Sequence, residues 1–264
     1  MSEQDHIRSH RTPRLHVDAA LTPDTIVQLG PEQTHYLLRV MRLSLNAEVT
    51  VFNGRDGLWS ARLHGSDRRR IAVKVLGQIA PQPPVYGPWL AFGVPKRQAL
   101  EMIVQKGTEL GVTRFFPIAT EHAMAERLNP ARLERIAIEA SEQCERLHVP
   151  SMDGVMSLQQ LLDGWPADRT LFWGDETGRG EPLADAADAI LGEDLEAAPP
   201  PWGLMIGPEG GFAPAELDGL DEVPFLKRVT LGPRILRAET AVIAGLAIGQ
   251  ALAGDGDLPV RSAS

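Results

Sequence analysis

Two Gly-Pro turns carry the residue types best suited to chemistry in this sequence. The first lies in LMIGPEGGFAPAEL, Leu204 to Leu217, and the second in VTLGPRILRAETA, Val229 to Ala241. In each, a short apolar run typical of a buried strand passes through the turn into a helix-like segment. Unpaired backbone N–H groups at such a turn can hold an anion or a nucleotide-like ligand. An ordinary strand-to-helix turn is the alternative interpretation of each motif taken alone.

The two turns together favour one ligand pocket. Ligands of open α/β sheets bind at the carboxyl ends of the strands, where both turns lie. We expect the two strands to be direct neighbours, so that their turns form two walls of the pocket. Its predicted lining consists of apolar side chains and two backbone amides, from Ile206, Leu231, Ile235, Leu236, Gly210 and Gly211.

The elements that must position these turns alternate between strand and helix. After a proline-rich linker at 81–88, the segments WLAFGV, FFPIA, TLFW, WGLMIG and FLKRVTLG read as strands, separated by helical segments such as KRQALEMIVQKGTELG and PARLERIAIEASEQCERL. This alternation predicts an α/β domain with a largely parallel sheet over 89–264. The last helix, from Ala238, is apolar on nearly all faces, which is typical of a buried or subunit-interface helix.

The first 80 residues have a different pattern. A helical segment, HYLLRVMRL, precedes three segments rich in β-branched residues, EVTVFNG, LWSARL and IAVKVLGQI, with Asn-Gly and Asp-Gly turn signals between the first two. This arrangement predicts a small β-barrel domain over 1–80.

Charge is divided unevenly along the chain. The whole chain has a net charge of -9, but residues 1–80 hold 11 Lys and Arg against 8 Asp and Glu. The basic half is therefore a candidate for contact with a phosphate backbone, although a solvated arginine face is an equal alternative. The candidate RNA-binding residues are Arg39, Arg42, Arg68, Arg69 and Arg70, with Arg234 in the second turn.

Composition also bears on the cellular location of the protein and on whether it binds a metal. No apolar run is long enough to cross a membrane, the N-terminus lacks a signal-peptide core, and Cys144 is the single cysteine. We therefore expect a cytoplasmic protein. His35 and His148 lack metal-ligand partners at suitable spacing, and we expect no metal.

The motifs IGPEGG and LGPRILRAETA, preceded by KRQALEMIVQKGTELGV and EQCERLHVP, together resemble the RsmE family of 16S ribosomal RNA uridine-N3 methyltransferases, in the SPOUT superfamily. The resemblance covers most of the chain. It implies an N-terminal PUA-like barrel and a C-terminal trefoil-knotted α/β domain that binds S-adenosylmethionine. It also implies a homodimer that acts on 16S ribosomal RNA of the small ribosomal subunit.

The resemblance also implies site residues. The cofactor-binding residues of the family match Ile206, Gly207, Pro208, Glu209, Gly210, Gly211, Leu231, Gly232, Pro233, Ile235, Leu236 and Ala238. A third cofactor loop would follow TLFW, near Gly174, Asp175 and Glu176, where the match is loose.

The implied reaction asks for few catalytic groups. The N3 of uracil is a weakly acidic imide that must lose its proton before or during attack on the methyl group. Arg237 is the candidate to stabilise the resulting anion, and Glu209 or Glu239 could accept the proton. Alternatively, Arg237 and Glu239 pair with each other and only fix the loop.

The sequence departs from the family pattern at three positions. Ala213 stands where a helix-capping Ser or Thr is common, His122 where arginine is frequent, and Glu145 where glycine is frequent. Two other functions remain open: a non-enzymatic RNA-binding ribosome assembly factor, and a knotted methyltransferase acting on a ribose 2′-OH or another base. The presence of Arg237 and of both glycine-bearing loops favours an enzyme.

Overall fold

The computed structural model describes residues 12–65, 71–120, 128–175, 177–190, 200–208, 210–217 and 219–254. The chain divides into two compact units. The first consists of the chain up to Pro84 together with Ser141–His148, and the second of Val85–Ala140 together with the chain from Val149 onward. A single boundary placed along the sequence, such as the predicted linker at 81–88, would assign Ser141–His148 to the second domain, whereas in the structure this segment belongs to the first unit.

The first unit is built on five strands in the spatial order β1-β3-β4-β5-β2. The strands are β1 Arg14–His16, β2 Ile26–Gln28, β3 Glu48–Phe52, β4 Leu58–His64 and β5 Ala72–Ala80. The pairing of β1 with β3 is parallel and the others are antiparallel. Inward side chains from all five strands, among them Leu15, Val27, Val51, Leu63 and Val73, share one core. The sheet therefore curls around a common interior.

The predicted helix over HYLLRVMRL differs from the structure. A short α-helix, α1 Pro31–His35, is followed by one π-helical turn at Tyr36–Val40, in which the Met41 N–H donates to the Tyr36 carbonyl at 2.9 Å. Arg42 has a φ of 57°, a left-handed conformation that cannot continue a helix. Leu37 is fully buried and fixes this turn against the core.

The Ser141–His148 segment is held in the first unit by specific contacts. The Arg14 guanidinium donates to the Glu145 carbonyl and lies 3.7 Å from the Glu145 carboxylate. The His16 N–H donates to Glu142 Oε1 at 2.8 Å. Glu145 has a φ of 67°, a left-handed backbone conformation that glycine would adopt without strain but glutamate does not.

This geometry gives a prediction for Glu145. Replacement by alanine or by glycine removes the carboxylate near Arg14, but only alanine keeps the left-handed strain. We expect Glu145→Ala to be less stable than Glu145→Gly by about 1 kcal/mol in urea unfolding. The matched pair at Glu139, an exposed residue of a regular helix, should show the reverse order, because glycine is the poorer helix former. Equal stability of the two Glu145 variants would contradict the strain argument.

The second unit contains an eight-stranded sheet in which every pairing is parallel. Its strands are β6 Trp89–Gly93, β7 Arg114–Ala119, β8 Ser151–Met152, β9 Met156–Ser157, β10 Thr170–Gly174, β11 Glu181–Pro182, β12 Trp202–Ile206 and β13 Leu226–Thr230. The order is β11-β13-β10-β12-β6-β7-β8, and β9 also pairs with β7. The prediction of a largely parallel α/β domain is thus confirmed.

Helices cover both faces of this sheet. They are α2 Arg97–Glu109, α3 Pro130–Cys144, α4 Leu158–Asp163, α5 Leu183–Asp188, α6 Pro214–Leu217 and α7 Ala238–Ala253; the last four residues of α3 belong to the first unit. Alternate strand residues such as Phe92 and Leu204 join a core with α2, α5 and α7. The residues between them, such as Ala91 and Met205, join a second core with α4. Burial on both faces explains why these strands read as continuous apolar runs.

Helix α7 lies unusually close to strand β12. A Cβ atom at Gly249 would lie 2.3 Å from the Trp202 ring, so only glycine permits this approach. Trp202 Nε1 donates to the Ala253 carbonyl at 2.9 Å. One side of the helix remains exposed at Thr240, Ala247 and Ala251. None of the helices in the described part of the chain has the length and apolarity needed to cross a membrane.

Candidate functional site

Three loops meet at the carboxyl edge of the parallel sheet. The expectation that β12 and β13 are direct neighbours is wrong, because β10 lies between them and pairs with both. Gly174, the last residue of β10, is in register with Ile206 on one side and Val229 on the other. Spatial order in a parallel sheet does not follow chain order, so the loop after β10 completes the site.

The three loops enclose a cavity of about 460 Å³. Its lining comes from the ends of β10, β12 and β13, the loops that follow them, and the start of α7. The lining residues are Trp173, Gly174, Asp175, Thr177, Gly178, Ile206, Gly207, Pro208, Gly211, Phe212, Leu217, Thr230, Leu231, Gly232, Pro233, Arg234, Ile235, Leu236, Arg237, Ala238 and Ala241.

The structure brings most of the predicted site residues together around this cavity. Gly210 is not part of its lining, and Glu209 lies outside the described residues. In the third loop, Gly174 and Asp175 line the cavity, whereas Glu176 also lies outside the described residues. Sequence reasoning missed Thr177; its signal was the GDETG run that follows a strand in the same way as the two Gly-Pro turns.

The first loop is shaped by close backbone packing. Gly211 has a φ of 68°, and its N–H donates to the Pro208 carbonyl at 2.9 Å. Ala213 offers no capping side chain, but Glu216 Oε2 accepts its N–H at 2.7 Å, which is half of a capping box. The start of α6 is therefore still capped, by Glu216, although Ala213 replaces the usual Ser or Thr.

The second loop presents exposed side chains at the cavity. Gly232 has a φ of 108° and its N–H lies 3.3 Å from Thr230 Oγ1. Ile235 is 88% exposed, and Arg234 and Arg237 are also exposed.

Arg237 stands at the entrance to α7 and borders the cavity. It is the N-cap residue of α7, and its carbonyl accepts the Ala241 N–H at 2.8 Å. Within the described residues, Arg237 forms no ion pair, so the alternative of an Arg237–Glu239 pair does not occur there. Glu239 does not line the cavity, and one of its carboxylate oxygens is buried with no hydrogen-bond partner among the described residues. Arg237, rather than Glu239, is thus placed to meet a ligand.

The third loop is organised by Asp175, whose side chain is 2% exposed. Its carboxylate accepts the Thr177 N–H at 2.9 Å, the Thr177 hydroxyl at 2.6 Å and Arg228 Nη1 at 3.1 Å. Arg228 also lies over the Trp173 ring, 4.5 Å from its centroid. Burial alone would raise the pKa of Asp175, but the hydrogen bonds from Thr177 and the charge of Arg228 outweigh it, so the pKa lies below its ordinary value.

This network predicts a pH-dependent loss of stability in Asp175→Asn. Because the folded-state pKa of Asp175 is lowered, the carboxylate stabilises the fold above its unfolded pKa, near 3.8, and this contribution is lost as the pH falls through the folded value. Urea unfolding should show a loss of about 1.5–3 kcal/mol at pH 7 that shrinks below pH 3.8.

The control is Asp221→Asn, which removes the other Arg228 partner. Asp221 is 73% exposed, so its variant should change stability little at either pH. An Asp175→Asn deficit of the same size at pH 7 and pH 3 would contradict the assignment.

Metal ligation receives no support from the part of the chain that the structure describes. In those ranges, no group of three or more His, Cys, Asp or Glu side chains could hold a metal ion.

Comparison with known proteins agrees with the geometry of both units. The RNA methyltransferase domain family matches residues 83–250, and the RNA methyltransferase PUA domain family matches residues 29–76. The predicted fold class, α/β with an additional small PUA-like β-barrel domain, is confirmed.

Relatives named ribosomal RNA small subunit methyltransferase E cover most of the chain. The ribosomal RNA small subunit methyltransferase E of Synechocystis sp. is 32% identical over 85% of this chain and 72% of its own length. That of Bacillus subtilis is 30% identical over 81% of this chain and 86% of its own. The crystal structure of the Neisseria gonorrhoeae enzyme, bound to S-adenosylmethionine, matches with a TM-score of 0.76 and 27% identity over 92% of this chain and 99% of its own. The chain therefore belongs to the ribosomal RNA small subunit methyltransferase E family, the RsmE family that its sequence resembles.

Proposed function

We propose that this chain transfers a methyl group from S-adenosylmethionine to N3 of a uridine in 16S ribosomal RNA of the small subunit. The observation that supports this most directly is the three-loop cavity at the carboxyl edge of the sheet, with Arg237 at its border. Its volume of about 460 Å³ is within the range of cofactor pockets.

The residues around the cavity suit the cofactor. Apolar side chains such as Ile206, Leu231 and Leu236 offer walls for the adenine and methionine portions. Gly211 lets the backbone approach a ligand closely, because it carries no side chain. Asp175 provides a buried carboxylate at the third loop. When bound, S-adenosylmethionine supplies an electrophilic methyl group on a sulfonium centre.

The protein's own part in the reaction is positioning and charge stabilisation. Arg237 stabilises the negative charge that develops on the uracil oxygens as N3 loses its proton. Glu209 and Glu239 remain candidates for accepting that proton, and Glu239 can serve only if its side chain turns toward the cavity from the place it occupies here. Holding N3 in line with the methyl group supplies much of the remaining acceleration.

The RNA would be held by the first unit, which corresponds to the barrel domain predicted over 1–80, and by exposed arginines. Arg39, Arg42 and Arg234 are exposed, as phosphate contacts require, while Arg68, Arg69 and Arg70 lie outside the described residues. A homodimer and a cytoplasmic location belong to the same proposal. The exposed small-residue side of α7 is compatible with a subunit interface.

Nucleoside mass spectrometry of small-subunit RNA tests the proposal. RNA from cells lacking the protein should lose 3-methyluridine, and the purified protein should restore it to that RNA when S-adenosylmethionine is supplied. Unchanged 3-methyluridine in the deletion would reject the proposed base. Loss of a different methylated nucleoside, such as a 2′-O-methyl one, would redirect the target.

A further inference from the structure

The π-helical turn of the first unit presents an unusual group of exposed side chains. We define the π-turn surface as Tyr36, Arg39, Val40, Met41 and Arg42. Tyr36 is 45% exposed, Val40 61% and Met41 36%.

Buried leucines next to this surface fix its backbone to the core of the first unit. Leu37 is completely buried in the core of the first unit, and Leu38 and Leu43 pack against the same core. The Leu43 N–H donates to the Leu37 carbonyl at 2.9 Å, which closes the turn behind the surface. The exposed aromatic and aliphatic groups are therefore displayed on a fixed base rather than on a free loop.

The backbone of the turn carries a second sign of function. Single π-helical turns are rare and are frequent at functional sites. Arg42, at the end of the surface, has a φ of 57°, a conformation that costs a non-glycine residue energy. Directly after the C-cap Met41, this left-handed residue ends the helix and fixes where the surface stops.

We propose that the π-turn surface binds an unpaired stretch of the substrate RNA, with a base stacked on Tyr36 beside Val40 and with phosphates on Arg39 and Arg42. This inference rests on the proposed function and specifies where and how the RNA is held. A single strand is favoured over a duplex because A-form RNA keeps its bases stacked, whereas a splayed base can lie on an aromatic ring.

Charge favours RNA over a second copy of this surface. Neither Arg39 nor Arg42 forms an ion pair with the described residues. Two copies placed face to face would bring four guanidinium groups together, and such like-charge contacts are unfavourable. A phosphate backbone satisfies both arginines and leaves Tyr36 free to stack.

Binding titrations of variants at Tyr36 and at the two arginines test the proposal. The probe is a single-stranded RNA from the 16S sequence that the wild-type protein methylates, measured at several salt concentrations. Tyr36→Ala should weaken binding about 5- to 150-fold, the range for loss of one stacked base, without changing the salt dependence. Tyr36→Phe should bind within a few fold of wild type. Arg39→Ala and Arg42→Ala should each lower the slope of log affinity against log salt by about 0.7.

Matched controls separate this inference from the proposed function. Tyr86, the other tyrosine, is 58% exposed outside the π-turn surface, and Tyr86→Ala should bind RNA as wild type does. S-adenosylmethionine affinity should be the same in all variants. If wild type methylates the RNA and Tyr36→Ala binds it equally well, the π-turn surface is not the RNA contact, while the proposed function stands. If wild type neither binds nor methylates RNA, the proposed function fails, and the inference with it.

A measurement of oligomeric state tests the remaining alternative, that the π-turn surface is a contact between subunits. Light scattering should give the same mass for Tyr36→Ala and wild type. A mass that falls in Tyr36→Ala would identify the π-turn surface as a subunit contact and overturn the RNA assignment.

Discussion

Gly211→Val should abolish S-adenosylmethionine binding while leaving the protein folded. Gly211 lines the cavity with a φ of 68°, so a branched side chain would both strain the first loop and occupy space beside the ligand. Isothermal titration calorimetry should show an affinity loss of about 100-fold or more, equivalent to about 3 kcal/mol.

Gly219→Val is the matched control for the strain alone. Gly219 has a φ of 80°, a Cβ atom added to it would meet no other atom within 4 Å, and it has no place in the cavity lining. This variant should bind S-adenosylmethionine as wild type does, although its unfolding free energy falls. Wild-type affinity in a folded Gly211→Val protein would place the cofactor elsewhere.

Arg237→Ala should nearly eliminate methyl transfer with little change in S-adenosylmethionine affinity. The proposed charge develops on the target base rather than on the cofactor, so removing the guanidinium removes stabilisation of the transition state. We expect kcat to fall about 100- to 1000-fold, as for the loss of a single electrostatic stabiliser in other active sites. Single-turnover assays with saturating RNA, paired with calorimetry of cofactor binding, measure the two effects separately.

Arg234→Ala provides the comparison for Arg237→Ala. Arg234 is an exposed arginine of the same loop that we assign to phosphate binding, so its loss should raise KM for RNA and leave kcat nearly unchanged. An equal loss of cofactor affinity and turnover in Arg237→Ala would instead make Arg237 a structural residue of the loop.

Much of the fold and the candidate site could be predicted from local patterns. Apolar runs such as WLAFGV and WGLMIG correctly located β6 and β12, because strands buried on both faces need apolar residues at every position. The paired Gly-Pro turns correctly indicated the family, which the comparisons confirm.

Short elements and local distortions escaped prediction. Strands β1, β8, β9 and β11 have two or three residues each, too few to show a period, and are held by their pairing partners. The π-helical turn at Tyr36–Val40 likewise depends on the buried Leu37 and on the left-handed Arg42, neither of which a helical period reveals.

The sequence by itself determined which residues could form the site, and the tertiary structure decided how they meet. Glycines, prolines and apolar runs act locally, since they set the backbone conformations and buried faces that a segment can adopt. The insertion of β10 between β12 and β13 is different, because strand order depends on hydrogen bonds between segments distant in the chain. That insertion brings Asp175 into the cavity, and the ion pair that holds it comes from Arg228, 53 residues further along the chain. The placement of Ser141–His148 in the first unit follows the same rule, since Arg14 meets Glu145 only after both segments have folded.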